Sequence, residues 1–318
     1  MTNDAWSPVA VVGAGALGCY FGGVLARAGA SVTLIGRRAH VEAIKRDGLG
    51  FESLGRQEFI PVAASENIAA VAGARLILFC VKSSDTDEAA RAMAEYLAPD
   101  AVVLSLQNGV NNVERIRLHL KQQVIPALVY AAAQMSGPGR VRHTGGGDLV
   151  VGQLGDGGSA GGTTAPSVKA LTTFLTGVGI PVRVSDHIEV ELWSKLVLNC
   201  AYNAISALCG ARYGTMVANA EIRAVMLAAV DEVVWVAAAK GIRLPDDMAE
   251  TTIRLADVMP VTISSTAQDI RNGKRTEIDH LNGYVVREGE ALGIATPVNR
   301  TLNALTKLLE QGKVGTVR

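Results

Sequence analysis

The sequence predicts an α/β domain over residues 1–185 followed by an all-α domain over residues 186–318. Three observations carry that division. The first half alternates short β-branched runs with helical patterns, as βαβ units and a parallel sheet require. A glycine-rich turn follows the first of those runs directly. Beyond Ser185 no strand pattern recurs, and the apolar residues return at helical spacing.

In chain order, Val9–Val12, Ser31–Ile35, Leu76–Val81, Val102–Ser105 and Val124–Leu128 are predicted strands. Helical patterns fall between them at Ala16–Ala28, Glu66–Val71, Thr86–Leu97 and Val113–His119. Val141–His143 and Leu149–Gly152 flank Thr144-Gly145-Gly146-Gly147-Asp148, the pattern of a hairpin or bulged pair closing the sheet. Gly155–Thr164 has the composition of a linker, but a helix at Pro166–Thr176 and a strand at Val182–Val184 follow it. It is therefore expected to be a loop within the first domain. The remaining segments, Ile188–Leu208, Asn219–Lys240, Ala249–Leu255, Ile263–Asn272, Glu277–Leu292 and Pro297–Gln311, are predicted helices. Thr296 before Pro297 marks a start, and Gly241, Gly273 and Gly293 mark stops.

Composition narrows the function. Hydrophobic residues make up 49% of the 318 and charged residues 19%, so a large core is available. Lys+Arg and Asp+Glu both number 30. Such a neutral chain has no global field to hold nucleic acid or an anionic membrane surface. Val225–Ala239, the longest apolar run, is interrupted by Asp231 and Glu232 and falls short of the roughly 18 residues of a membrane span. Met1–Pro8 lacks the basic stretch of a signal peptide. Cys19, Cys80, Cys200 and Cys209 have no CxxC spacing, and the expectation is reduced core thiols in a soluble cytoplasmic protein. The five histidines are scattered without ligand spacing, so no metal site is predicted.

Val9-Ala10-Val11-Val12-Gly13-Ala14-Gly15-Ala16-Leu17-Gly18 is a strand, a glycine turn and a helix start. Gly13 permits the turn, Gly15 admits a pyrophosphate to the backbone, and Gly18 lets helix and strand pack closely. Ala16, Leu17 and Gly18 then offer free N–H groups at the positive end of a helix. This is the context a Rossmann-type dinucleotide-binding domain demands. The second strand ends in Gly36-Arg37-Arg38, where an NAD-binding protein usually places an acid. A guanidinium there can grip a 2′-phosphate, so NADP(H) is the expected cofactor. Arg38 alone reads equally as a solvated cation. Lys82 and Asn108 end two further strands and point to the same crevice, although Asn108-Gly109 is also a common turn pair.

The helix from Ile188 is apolar nearly all round except at Lys195, Asn199 and Asn203, which share one face at i, i+4, i+8. That stripe suits the lining of a cleft, or else an exposed edge. Ser265 and Asp269 share a face of a later helix. Glu277 is expected in the first turn of the next helix after a Thr276 cap, where it either carries chemistry or only complements the helix dipole.

Together these pieces resemble the ketopantoate reductase (2-dehydropantoate 2-reductase) family, from the Gly13 turn to the Pro297 helix. The most specific parts are Trp193-Ser194-Lys195 with Asn199 and Asn203, and the run Ser265, Gln268-Asp269, Thr276-Glu277-Ile278-Asp279, Asn282-Gly283. The resemblance implies NADPH-dependent reduction of ketopantoate to pantoate, a step of pantothenate and coenzyme A biosynthesis. It places the catalytic lysine at Lys195 and its acidic partner at Glu277. The substrate contacts fall on Asn199, Asn203 and Ser265, with Asp269 beside them. Lys82 and Asn108 match cofactor-side positions, and Arg37 matches the arginine for the 2′-phosphate. One departure stands out: some members carry a substrate-binding asparagine before a glycine, where this chain has Tyr213-Gly214. A reductase of a different 2-oxo acid is therefore a second reading, and a non-catalytic NADP(H) sensor a third that would need neither Lys195 nor Glu277.

On this reading Lys195 polarises the substrate carbonyl and gives up the proton, its pKa lowered by burial and raised again by Glu277. Asn199 holds the lysine or the carbonyl oxygen in line. Glu277 accepts from a substrate hydroxyl, Ser265 takes the carboxylate, and Asn108 bridges nicotinamide ribose and substrate. The site is expected between the domains, where closure excludes water. The apolar C-terminal helices suit either a homodimer interface or the domain's own core.

Overall fold

In the computed structural model, which describes residues 6–155 and 166–314, the first half builds a ten-stranded sheet. Its strands are β1 (Val9–Val12), β2 (Val32–Ile35), β3 (Leu49–Ser53), β4 (Arg56–Ile60), β5 (Ala63–Ser65), β6 (Leu76–Phe79), β7 (Val102–Ser105), β8 (Gln123–Gly137), β9 (Arg140–Gly152) and β10 (Val182–Ser185). The parallel part runs β5-β2-β1-β6-β7-β8, the order of doubly wound dinucleotide-binding sheets. All four residues of β1, β6 and β7 are buried. Val9, Val11, Leu76 and Leu78 face one apolar cluster, and Ala10, Val12, Ile77 and Phe79 face the other. Burial on both faces explains why these strands read as unbroken apolar runs.

The sheet then curls. Gln123–Pro126 of β8 pairs parallel with β7, and from Ala127 the same strand pairs antiparallel with β9. β9 in turn pairs parallel with β3 and β10. Inside the curl lies the Ala16–Arg27 helix, whose Tyr20 stacks on His143 of β9, ring centroids 4.2 Å apart. Of the two readings of Thr144–Asp148, the bulged pair holds and the hairpin does not: β9 runs through it without a turn, and the register shifts at Tyr130/Ala131 and Ala132/Ala133 leave Gly147 and Thr144 as the extra residues. The Gly155–Thr164 loop, apart from Gly155, lies outside the described residues.

The chain divides into two compact units, Met1–Ile188 and Glu189–Arg318. The second is helical, with Ile188–Cys209 leading into it, followed by Tyr213–Ala218, Ala220–Ala239, Met248–Val258, Ser265–Arg271, Asn282–Leu292 and Pro297–Val314. Trp193 packs its ring against Tyr284, tying the first of these helices to the Asn282 helix. Glu232, one of the two residues that interrupt the Val225–Ala239 run, is buried and serves as a cap. Its carboxylate accepts from the N–H groups of Val298 and Asn299, both at 2.8 Å, and from Asn299 Nδ2 at 2.7 Å. It therefore caps the Pro297–Val314 helix from a neighbouring helix, while the Thr296 hydroxyl, the local cap candidate, has no partner among the described residues. Asn299 Oδ1 accepts from Asn282 Nδ2 at 2.9 Å, and the same nitrogen donates to the Cys200 carbonyl at 3.1 Å. One polar line thus joins four helices. Among the described residues no helix is long and apolar enough to cross a membrane. Cys19 and Cys200 are buried as expected, but Cys209 is exposed, because it ends its helix beside Gly210.

Candidate active site

In the first unit, the predicted nucleotide residues gather at the carboxyl ends of adjacent strands. Gly13 follows β1 with φ +105, and a Cβ there would sit 2.7 Å from the Cys80 carbonyl carbon and the Val81 nitrogen. Only glycine permits that approach of the β1 turn to the end of β6. At Gly18 a Cβ would lie 2.1 Å from the Gly13 carbonyl oxygen, so helix and turn meet backbone to backbone. Gly15 is the opposite case: a Cβ there would meet nothing within 4 Å. It is the N-cap of the Ala16–Arg27 helix and provides no side-chain cap. The amides of Ala16, Leu17 and Gly18 thus open the helix beside vacant space, a cradle that fits a pyrophosphate.

Arg37 and Arg38 close β2 and differ in their commitments. Arg38 Nε donates to Glu42 at 2.6 Å, an exposed pair one helical turn apart. Arg37, exposed and just ahead of that helix, has no side-chain partner among the described residues. A guanidinium so placed fits a 2′-phosphate.

Lys82 leaves β6 and Asn108 leaves β7. The Asn108 carbonyl accepts from Ser83 Oγ at 3.0 Å and from Asn112 Nδ2 at 2.6 Å. Gln107 Nε2 donates to the Val81 carbonyl at 3.0 Å and to Thr86 Oγ1 at 2.8 Å. Sequence reasoning missed this buried network. Its only local signal is a cluster of short polar residues at two strand ends that turn chemistry explains equally well.

In the second unit, Lys195 and Glu277 lie close enough to act on each other electrostatically. Burial pushes the Lys195 ammonium down to about 8, and the Glu277 carboxylate pulls in the opposite direction. Asn199 is part-buried one turn on, and Asn203 is buried. The Asn203 carbonyl accepts from Ser264 Oγ at 3.1 Å, and the Ser264 amide donates to Ser206 Oγ at 3.1 Å. These bonds dock the Ser265–Arg271 helix on the lysine helix. Ser264 is its buried cap, so the neighbouring Ser265 is left exposed and Asp269 part-buried.

Glu277 departs from its expected place. It precedes a short 3-10 turn, Ile278–His280, and the α-helix begins only at Asn282. Thr276, the expected cap, accepts from the Ile278 amide at 3.4 Å and is itself held by Glu310, whose Oε2 accepts from the Thr276 amide at 2.8 Å and from its hydroxyl at 2.7 Å. Tyr213 is buried against Tyr202, ring centroids 4.2 Å apart, and its amide donates to the Thr262 carbonyl at 3.0 Å.

A doubly wound sheet with a glycine cradle is the architecture of a dinucleotide-binding domain, and the family matches place the chain among the oxidoreductases. Residues 9–156 match the family model described as ketopantoate reductase PanE/ApbA, and residues 187–310 match the model of its C-terminal part. The 2-dehydropantoate 2-reductase of Halobacterium salinarum is 33% identical, over 95% of this chain and 99% of that protein. A crystal structure of a PanE/ApbA family ketopantoate reductase from Ralstonia eutropha JMP134 is 50% identical, covers 96% of this chain and 99% of its own, and superposes with a TM-score of 0.88. D-mandelate dehydrogenase, solved with NADH and anilino(oxo)acetate, is 26% identical over 96% and 99% of the two chains, with a TM-score of 0.86. The chain belongs to the ketopantoate reductase family.

Proposed function

We propose that this protein reduces 2-dehydropantoate to pantoate with NADPH, with Lys195 as general acid. The observation that carries the reading is the Lys195–Glu277 pair, an ammonium held by burial near physiological pH beside a carboxylate. Reduced nicotinamide, when bound, supplies a hydride for the carbonyl carbon. Lys195 polarises the carbonyl oxygen and transfers one Nζ proton to it, then regains a proton from solvent. Glu277 stabilises the charged lysine and accepts from the substrate hydroxyl, and Asn199 keeps the donor aligned. Asn203, Ser265 and Asp269 bind the rest of the substrate. The Gly13–Gly18 turn, Arg37, Lys82 and Asn108 hold the nucleotide, and Asn108 also reaches the substrate.

A second substrate has its own support. Tyr213 puts an aromatic ring against Tyr202, on the helix that bears Lys195, and the structurally similar D-mandelate dehydrogenase was solved with an aryl-bearing oxo acid analogue. The deciding experiment is NADPH oxidation by the purified protein with ketopantoate, 2-oxo-2-phenylacetate and aliphatic 2-oxo acids in parallel. Preference for ketopantoate supports the first reading, preference for the aryl acid the second, and no turnover of any overturns both.

Two further results are expected. Arg37→Ala lowers the preference for NADPH over NADH by about 10- to 100-fold in kcat/KM, the worth of one charge-assisted contact. Arg38→Ala, whose guanidinium is engaged by Glu42, changes it little. Glu277→Gln removes the charge that raises the Lys195 pKa, so the alkaline limb of the pH–rate profile moves to lower pH. A limb that stays in place or moves to higher pH contradicts the pairing.

A further inference from the structure

We propose that Asn112 and Gln107 are positioning residues that lock the two loops bearing Lys82 and Asn108 into one rigid edge of the nucleotide site. The inference rests on the assignment of Lys82 and Asn108 to that site. Loops at strand ends are ordinarily the mobile parts of a domain, yet these two must present one side chain each at fixed spacing.

The lock is built from buried polar side chains. Ser83, Thr86, Gln107 and Asn112 are 0%, 0%, 8% and 3% exposed. Thr86 Oγ1 is the relay: it accepts from Gln107 Nε2 and donates to Asn112 Oδ1 at 3.1 Å. Asn112 Nδ2 spans the loops, donating to the Asn108 carbonyl and, at 3.3 Å, to Ser83 Oγ. Arg115 adds a bond from Nη1 to the Ser83 carbonyl at 2.7 Å and is itself held by Asp87.

The anchored atoms are the telling feature. Val81 and Ser83, the neighbours of Lys82 on both sides, are each bonded across to the second loop. Asn108 has its own carbonyl pinned by two donors, and the preceding Gln107 is a member of the network. Neither functional residue can shift its backbone without breaking bonds in both loops. A network in which every bond depends on its neighbours moves as a unit or not at all.

The test is a double-mutant cycle on kcat/KM together with nucleotide Kd by fluorescence and backbone amide exchange. Asn112→Asp keeps size and the acceptor to Thr86 but loses the donor to the Asn108 carbonyl. It is expected to lower kcat/KM about 10- to 100-fold, as roughly 1 Å of misplacement does, and to weaken nucleotide binding. Amides of residues 82–86 and 108–111 should exchange faster. Gln107→Met should act in the same direction, and the milder Ser83→Ala, which removes one donor of two, by about 3- to 10-fold. In an Asn108→Ala/Lys82→Ala background, Asn112→Asp should cost less than about 3-fold, because its effect passes through the two side chains it positions. An equal loss in both backgrounds, or unchanged Kd and exchange in Asn112→Asp, overturns the positioning role. Wild-type behaviour of both Asn108→Ala and Lys82→Ala overturns the site assignment instead. Accelerated exchange in Asn112→Asp then shows that the lock itself stands.

Discussion

Lys195→Ala is expected to lower kcat by about 10²- to 10⁴-fold, the range that a positioned general acid contributes. Nucleotide affinity should stay within about threefold, since the cradle belongs to the other unit. The argument rests on why this lysine titrates low. An ammonium in a poorly solvated place loses hydration it cannot replace, so its neutral form gains. Burial brings Lys195 to about 8, from a usual value of 10.5, and Glu277 keeps it from falling further. The charge is therefore costly to the fold below pH 8, and stability rises with pH across the window from about 8 to 10.5, where the unfolded chain binds the extra proton. Lys195→Met, which keeps the stem's volume and omits the charge, separates the two roles. It should lose turnover as Lys195→Ala does, with a Tm at or above that of the wild type. A drop in activity that tracked a drop in Tm would assign Lys195 to structure.

Glu232→Ala is expected to lower the unfolding free energy by about 3–5 kcal/mol, since each buried donor left without an acceptor costs roughly 1–3 kcal/mol. Three donors lose their acceptor at once: the amides of Val298 and Asn299 and the Asn299 side chain. The Pro297–Val314 helix loses its cap, and Thr296 is no substitute, its hydroxyl being unpartnered. Disturbance of Asn299 then reaches Asn282 and the Cys200 carbonyl on the Lys195 helix. Glu232→Gln keeps one oxygen acceptor and should cost less. Urea unfolding followed by tryptophan fluorescence measures both; a loss below about 1 kcal/mol for Glu232→Ala, typical of an exposed site, would contradict the capping role.

The parallel strands were legible because both their faces are buried, which writes unbroken apolar runs into the sequence. The β3–β4 hairpin was not. Its outer strand exposes Arg56, Gln57, Glu58 and Phe59, and its tip places Leu54 at φ 49, where turn rules expect glycine or asparagine. The glycine run in β9 reads as a hairpin or a bulged pair alike, and the choice between them depends on a partner strand that local pattern does not reveal. The same holds for the site. The glycine turn and the Lys195 stripe announce themselves by spacing. Glu277 departs from its expected place because the chain after Thr276, which Glu310 holds from far along the sequence, makes only a short 3-10 turn before the α-helix opens at Asn282. Glu232 and Gln107 were missed because their partners, too, are distant in sequence.

The most direct test is the pH dependence of kcat/KM for ketopantoate reduction from pH 6 to 10, for wild type and Lys195→Ala. The donor must be protonated to act, so the wild-type profile should be level at low pH and fall with one limb near 8. The variant, slower throughout, should lack that limb. A wild-type profile that stays level through pH 9.5, or a variant that keeps the limb, would show that the proton comes from another group.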